Sequence, residues 1–231
     1  MTNLASPGMT NVHYHPTWKV TLIRHSSLVI RHSSLVTRHS SFVTRHSSFV
    51  TRHSSFVTRH SSFVTRHSSL VTLLRELGSR GFHRAVDTTL YAPADVVRRV
   101  AEETELFLVD LKVMDSVKHK LYTGVSNEVV LNNIRLIAEL GKAFQIRIPL
   151  IVGVNADDDN LHATARFLTS LPAKNIPVNL LPYHDAGKDK HLRRNTTYNP
   201  NSIQMSTPTD EQLQHCIDIF SGYGVQATVG G

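Results

Sequence analysis

The chain has 231 residues, with 25 Lys and Arg against 18 Asp and Glu, fifteen His, one Cys and 40% hydrophobic residues. That length suits one ordinary domain or two small ones, and a single cysteine excludes both a disulfide scaffold and any site needing two cysteine ligands from this chain. No apolar run approaches the roughly 20 residues that span a bilayer, and Met1 to Thr10 lacks the features of a signal peptide, so the expected compartment is the cytoplasm.

The net charge of +7 suggests nucleic acid at first sight, but it is unevenly distributed. Residues 1–72 carry Lys19 and seven Arg with no acid, whereas residues 73–231 carry 17 basic and 18 acidic residues. The basicity belongs to one segment, which leaves a near-neutral domain and disfavours nucleic acid as its partner.

That segment is a repeat. Arg-His-Ser-Ser begins at Arg24 and returns every seven residues to Arg66. A coiled coil also repeats at seven, but its apolar positions lie three and four apart; here they are adjacent, as in Phe42-Val43. An odd period also sends successive Phe to opposite faces of a strand. Neither regular structure is specified, and residues 1–72 read as a disordered, low-complexity tandem repeat. A His-based metal tract or an Arg/Phe nucleic-acid arm are the alternatives, and the uncharged Ser-Ser-Phe-Val-Thr core is prone to aggregate.

From Leu73 the pattern becomes strand–helix alternation. Ala85-Val86, Leu106 to Val109, Ile146 to Ile151, Val178 to Leu181 and Val225 to Val229 read as buried strands. Pro93 opens a helix whose inner face is Val96, Val97, Val100 and Ala101. Ser126 is the expected N-cap of a helix carrying Val130, Ile134 and Ile137 and stopped by Gly141. Asp157 to Asp159 start a third, with Leu161, Ala165 and Leu168 inward. Thr207-Pro208 opens the last, with Leu213, Ile217 and Phe220 inward and Cys216 as a small core residue. The fold class is α/β, a partial (β/α) barrel of parallel strands over residues 73–231. An unpaired hydrophobic edge on its first strand would be an aggregation risk unless something covers it, and the repeat's patterning does not specify such pairing.

Parallel β/α folds bind ligands at the carboxyl ends of their strands. There this sequence places Asp87, then Asp110 and Lys112, with Arg147 in the third strand and His184 after the fourth. Lys112 and His184 suit a carboxylate, and the acids suit an amine or hydroxyls. Each residue also has a structural reading: Asp87 as a turn cap, Lys112 as a solvated loop residue, Arg147 in an ion pair, His184 as a hydrogen-bonded structural histidine.

Val86-Asp87-Thr88, Asp110-Leu111-Lys112, Tyr122 to Asn127, Arg147 to Leu150, Leu180 to His184 and Val225 to Gly231 occur in order. Together they resemble the C-terminal two-thirds of the glycyl-radical-enzyme activating enzymes, the family of pyruvate formate-lyase activating enzyme. The resemblance implies a radical S-adenosylmethionine barrel. In that family a [4Fe–4S] cluster cleaves S-adenosylmethionine, and the resulting radical takes a hydrogen from a glycine of a partner glycyl-radical enzyme. It further implies that Asp110, Lys112, Arg147 and His184 line the S-adenosylmethionine site, and that Asp87, Thr88 and Asp110 hold a monovalent cation.

The departures are as specific as the match. The family's Cys-x3-Cys-x2-Cys cluster loop and Gly-Gly-Glu motif are absent, and the repeat stands in their place. Leu90 stands near a position where the family has Gly, and Val152 replaces the Pro before Gly153. An iron–sulfur cluster of this type needs cysteine thiolates. The expectation is a truncated activating enzyme that holds no cluster and is inactive alone, or a remnant that binds S-adenosylmethionine or another anion.

Overall fold

The structure, a computed structural model, describes residues 19–23, 27–29, 61–184 and 204–230. The repeat units between residues 30 and 60, on which the metal-tract and nucleic-acid readings rest, lie outside the described residues. A seven-stranded sheet runs in the order β2-β1-β3-β4-β5-β6-β7. Its strands are β1 (Lys19–Ile23), β2 (Ser27–Val29), β3 (His83–Thr88), β4 (Leu106–Asp110), β5 (Ala143–Leu150), β6 (Val178–Pro182) and β7 (Ala227–Val229). The five strands β3 to β7 are parallel and adjacent in chain order, as expected of a partial barrel.

The helices are α1 (Ser61–Ser79), α2 (Ala94–Glu102), α3 (Ser116–Thr123), α4 (Glu128–Glu139), α5 (Asp158–Thr169) and α6 (Asp210–Gly222). On α2 the buried residues are the expected Val96, Val97, Val100 and Ala101. Leu161, Ala165 and Leu168 are likewise buried on α5, while on α6 Leu213, Cys216 and Phe220 are buried and Ile217 packs at the core margin. Alternation along β5 buries Phe144, Ile146, Ile148 and Leu150 on one face and leaves Gln145, Arg147 and Pro149 half-buried on the other. The second face carries the polar residues.

Three local features depart from the sequence reading. First, β3 is not an open edge: β1 pairs with it antiparallel, Val20 opposite Val86 and Ile23 opposite His83, and β2 pairs with β1 in turn. Lys19–Ile23 precedes the repeat, whereas β2 lies within its first unit, where the sequence reading specified no regular structure. Second, α1 runs across the boundary placed at residue 72. Leu70 and Val71 of the last repeat unit fall on the same helical face as Leu74 and Leu77, and all four pack on the core. Tertiary burial of an apolar stripe outweighs weak local propensity. Third, α4 starts one residue late. Asn127 is its N-cap but makes no capping bond; its amide is engaged elsewhere, as described below.

The family's Gly and Pro positions have local explanations. Leu90 sits at φ +56, in the left-handed region that costs a side-chain-bearing residue roughly 1–2 kcal/mol. Its side chain is fully buried, and that burial outweighs the strain. Val152 donates its N–H to the Ser206 carbonyl at 3.1 Å, a bond that proline cannot make. Gly153 follows at φ +89, and a Cβ there would collide with the Gln204 carbonyl oxygen.

One charged cluster ties the start of the domain together. Arg84 on β3 donates to both carboxylate oxygens of Glu105, to Glu103 Oε2 at 3.2 Å and to the Leu74 carbonyl of α1 at 3.2 Å. Arg75 of α1 reaches Glu103 at 2.8 Å. Burial pushes the Glu105 carboxyl up, but the bonds from Arg84 outweigh it and hold the pKa below the ordinary value. The stabilisation is therefore present above the usual carboxylate range and lost as pH falls through the lowered value. Thermal melts of wild type and Glu105→Gln should differ near neutrality and converge in acid. Gly153→Ala, strained in both backbone and contact, should lower the melting temperature by an amount corresponding to about 1–3 kcal/mol.

Candidate functional site

At the carboxyl ends of β3, β4 and β5 the sheet brings two acids and two bases together. Register places Asp110 directly beside Arg147, with Asp87 one pleat lower opposite Leu108. Arg147 Nη2 lies 2.6 Å from Asp87 Oδ1 and 2.6 Å from Asp110 Oδ1, and its Nε lies 3.1 Å from Asp110 Oδ1. One guanidinium thus bridges two carboxylates, a geometry for which its planar fork is suited. Burial works against the Arg147 charge, but the two aspartates more than restore it and hold its pKa above the ordinary value. Lys112 Nζ stands 3.6 Å from the other Asp110 oxygen, Oδ2.

The ion-pair reading of Arg147 is therefore realised, and it alters the roles of its neighbours. Asp110 has both oxygens engaged, one by Arg147 and one by Lys112. Thr88 is buried, and its Oγ1 accepts the Leu90 N–H at 2.9 Å. Among the described residues, Lys112 has three donors and one long contact, with Asp110, which leaves it able to meet an anion.

His184 reaches the same end of the sheet but stands apart from this group. It is exposed, and its Nδ1 donates to the Pro182 carbonyl at 2.8 Å. With Nδ1 carrying the proton, Nε2 of the neutral ring can only accept. His184 therefore meets a hydroxyl or amine when neutral, and a carboxylate only as the imidazolium.

A residue that sequence reasoning missed lies closer. His119 on α3 is 5% exposed and lines, with Lys112, Asp110, Thr89, Tyr91 and Thr123, a shallow recess of about 10 Å³. Its Nδ1 donates to the Val125 carbonyl at 2.7 Å. Burial, aided by the nearby Lys112 ammonium, pushes its pKa below the ordinary value despite that bond. The ring is thus a neutral acceptor beside Lys112. Its sequence signal was the helix-cap pair around it: Asp115 accepts the Lys118 N–H, Gly124 closes the helix at φ +84, and His119 and Thr123 fall on one buried face.

Among the described residues, no group of three or more His, Cys, Asp or Glu side chains converges as a metal site. Likewise, no helix there is long and apolar enough to cross a membrane. Cys216 is 2% exposed on the inner face of α6, and burial raises its pKa, away from thiolate.

Removing one partner from a buried ion pair costs about 3–5 kcal/mol. Here the side chains keep 15–24% exposure, so solvent screens part of that, and Arg147→Met should cost about 2 kcal/mol. Denaturant melts of wild type and Arg147→Met at neutral pH measure the loss.

No family model matches the chain. Among curated proteins, the trans-4-hydroxy-L-proline dehydratase activating enzyme of Clostridioides difficile is 39% identical over 153 residues, covering 66% of this chain and 50% of that one. The indoleacetate decarboxylase activating enzyme of Tractidigestivibacter scatoligenes is 33% identical over 159 residues, 68% of this chain and 49% of that one. The chain spans about half the length of these relatives. A solved domain of pyruvate-formate lyase-activating enzyme from Bacteroides vulgatus ATCC 8482 is 44% identical, with a TM-score of 0.62 over 72% of this chain and 92% of that one. With a parallel five-strand sheet and this degree of identity over nearly all of that domain, the chain belongs to the glycyl-radical-enzyme activating enzymes.

Proposed function

We propose that residues 73–231 bind S-adenosylmethionine at the strand mouth, and that this chain by itself does not cleave it. The observation that carries the reading is the Asp87–Arg147–Asp110 bridge with Lys112 at its edge. Arg147 and Lys112 together balance the two acids, so an incoming carboxylate meets Lys112 in a cluster with no excess negative charge. Lys112 donates to the ligand carboxylate, His119 offers an acceptor to a hydroxyl or amine, and His184 contributes from the rim.

Neither the family's cluster nor its cation fits these residues as they stand. A [4Fe–4S] cluster supplies the electron for reductive cleavage, and it needs thiolates. The one thiol here, Cys216, is sealed in the core of α6, so the residues of this chain do not fit it. At the position of Asp87, Thr88 and Asp110, both aspartate Oδ1 atoms face Arg147 and the Thr88 hydroxyl accepts a backbone N–H. A monovalent cation would have to displace the guanidinium, so that donor set does not fit as it stands. The family's partner is a glycyl-radical enzyme, and no radical transfer to such a partner is expected from this chain alone.

Titration calorimetry on the full chain tests the reading. S-adenosylmethionine should bind, and Lys112→Ala should weaken it about tenfold, roughly 1.4 kcal/mol. An absence of heat, or binding indifferent to Lys112→Ala, overturns the site. Anaerobic reconstitution with iron and sulfide should leave no visible iron–sulfur absorbance and produce no methionine from S-adenosylmethionine. A stoichiometric cluster overturns the claim of inactivity.

A further inference from the structure

The segment that follows Asp110 leaves the sheet as irregular backbone, yet it is held by side chains at nearly every step. Asn155 donates from Nδ2 to the Lys112 carbonyl at 2.8 Å and to the Pro149 carbonyl at 2.8 Å, and its Oδ1 accepts the Ile151 N–H at 2.8 Å. Asn127 donates to the carbonyls of Val113 at 3.1 Å and Met114 at 2.6 Å. Asn160 accepts the Met114 N–H at 2.8 Å and donates to the Asn155 carbonyl at 2.9 Å. The three asparagines are 2%, 2% and 7% exposed.

Two turns at the opposite end of the sheet close without side-chain amides. The α4–β5 turn closes on backbone bonds, Gly141 N–H to Ala138 and Lys142 N–H to Ile137, and the α6–β7 turn does the same through Gly224 and Val225. The asparagine straps lie at the mouth, where Lys112 is. Asn155 is the central one because its amide joins two neighbouring loops, after β4 and after β5. Two donors and one acceptor on a one-methylene stem are needed at that point. Aspartate has the acceptor but no donors, and glutamine is a methylene longer.

We propose that Asn155, supported by Asn127 and Asn160, is a positioning residue that fixes the Lys112 backbone and so holds the ammonium at the mouth for the ligand carboxylate. The proposal rests on the reading of Lys112 as a ligand-binding residue. Asn155 does not touch the ligand; it acts through Lys112.

Two readouts on the full chain test it. In the first, lysines are reductively methylated with ¹³C and followed by NMR, with the Lys112 resonance assigned by Lys112→Arg. It should lie apart from those of the exposed lysines in wild type and merge with them in Asn155→Asp and Asn155→Ser. Asn127→Ser, which frees the next two carbonyls, should move it part of the way. In the second, calorimetry with S-adenosylmethionine should show a loss of about fivefold for Asn155→Asp and less than twofold for the same change in a Lys112→Ala background, because residues acting as one unit are not additive.

An unmoved Lys112 resonance in a cooperatively melting Asn155 variant overturns the proposal, as does an additive loss in the double variant. If none of the three asparagine variants folds, the strap is structural only and the proposal falls. If wild type binds no S-adenosylmethionine while the resonance still moves, the positioning role stands and the ligand assignment fails.

Discussion

Two carboxylates at adjacent strand ends cannot both stay charged and half-buried without a shared cation, and the mouth of this sheet is organised by that requirement. Arg147 meets it from the third strand. Because the guanidinium lies 2.6 Å from an oxygen of each aspartate, the carboxyl ends of β3, β4 and β5 are tied at one point. The bridge leaves the lysine two residues beyond Asp110 as the group with donors to offer. Electroneutrality among the four side chains therefore decides which of them can receive a ligand.

Hydrogen bonding provides the second constraint. Irregular backbone over a core must find partners for its N–H and C=O groups, and here primary amides supply them. Asn133 performs the same task on the preceding loop, donating to the Leu90 and Ala92 carbonyls at 2.8 Å each. These bonds also help to hold Leu90 in its left-handed conformation, so the strain there is confined by a neighbour on α4.

Much of this was legible in the sequence because the strands are short, mostly apolar segments, such as Leu106 to Val109 and Val178 to Leu181, set between amphipathic helices. The meeting of Asp87, Asp110 and Arg147 followed from the strand-end rule alone. The exclusive pairing of Arg147 with the two acids did not, because side-chain partners across strands depend on register. His119 was missed for a different reason: the caps around it mark a short helix, but a histidine there acquires meaning only when Lys112 is packed beside it. α1 escaped because its helical face is completed by Leu74 and Leu77, beyond the repeat. The spacing of Asn127, Asn155 and Asn160 carries no pattern at all, since they converge only in three dimensions.

The pairing of β1 with β3 has a consequence for assembly. In the antiparallel ladder, β3 gives its outward hydrogen-bonding groups from His83 to Asp87 to Lys19–Ile23. The slot at which a barrel of this family would continue toward its first strands is thereby closed by a strand of reversed direction. A separately supplied complement could extend the sheet on that side only by strand exchange, peeling β1 and β2 away before its own strands could register. Completion of the barrel in trans is thus opposed by a self-capping edge, and the energy of that five-residue ladder sets the threshold a complement must exceed.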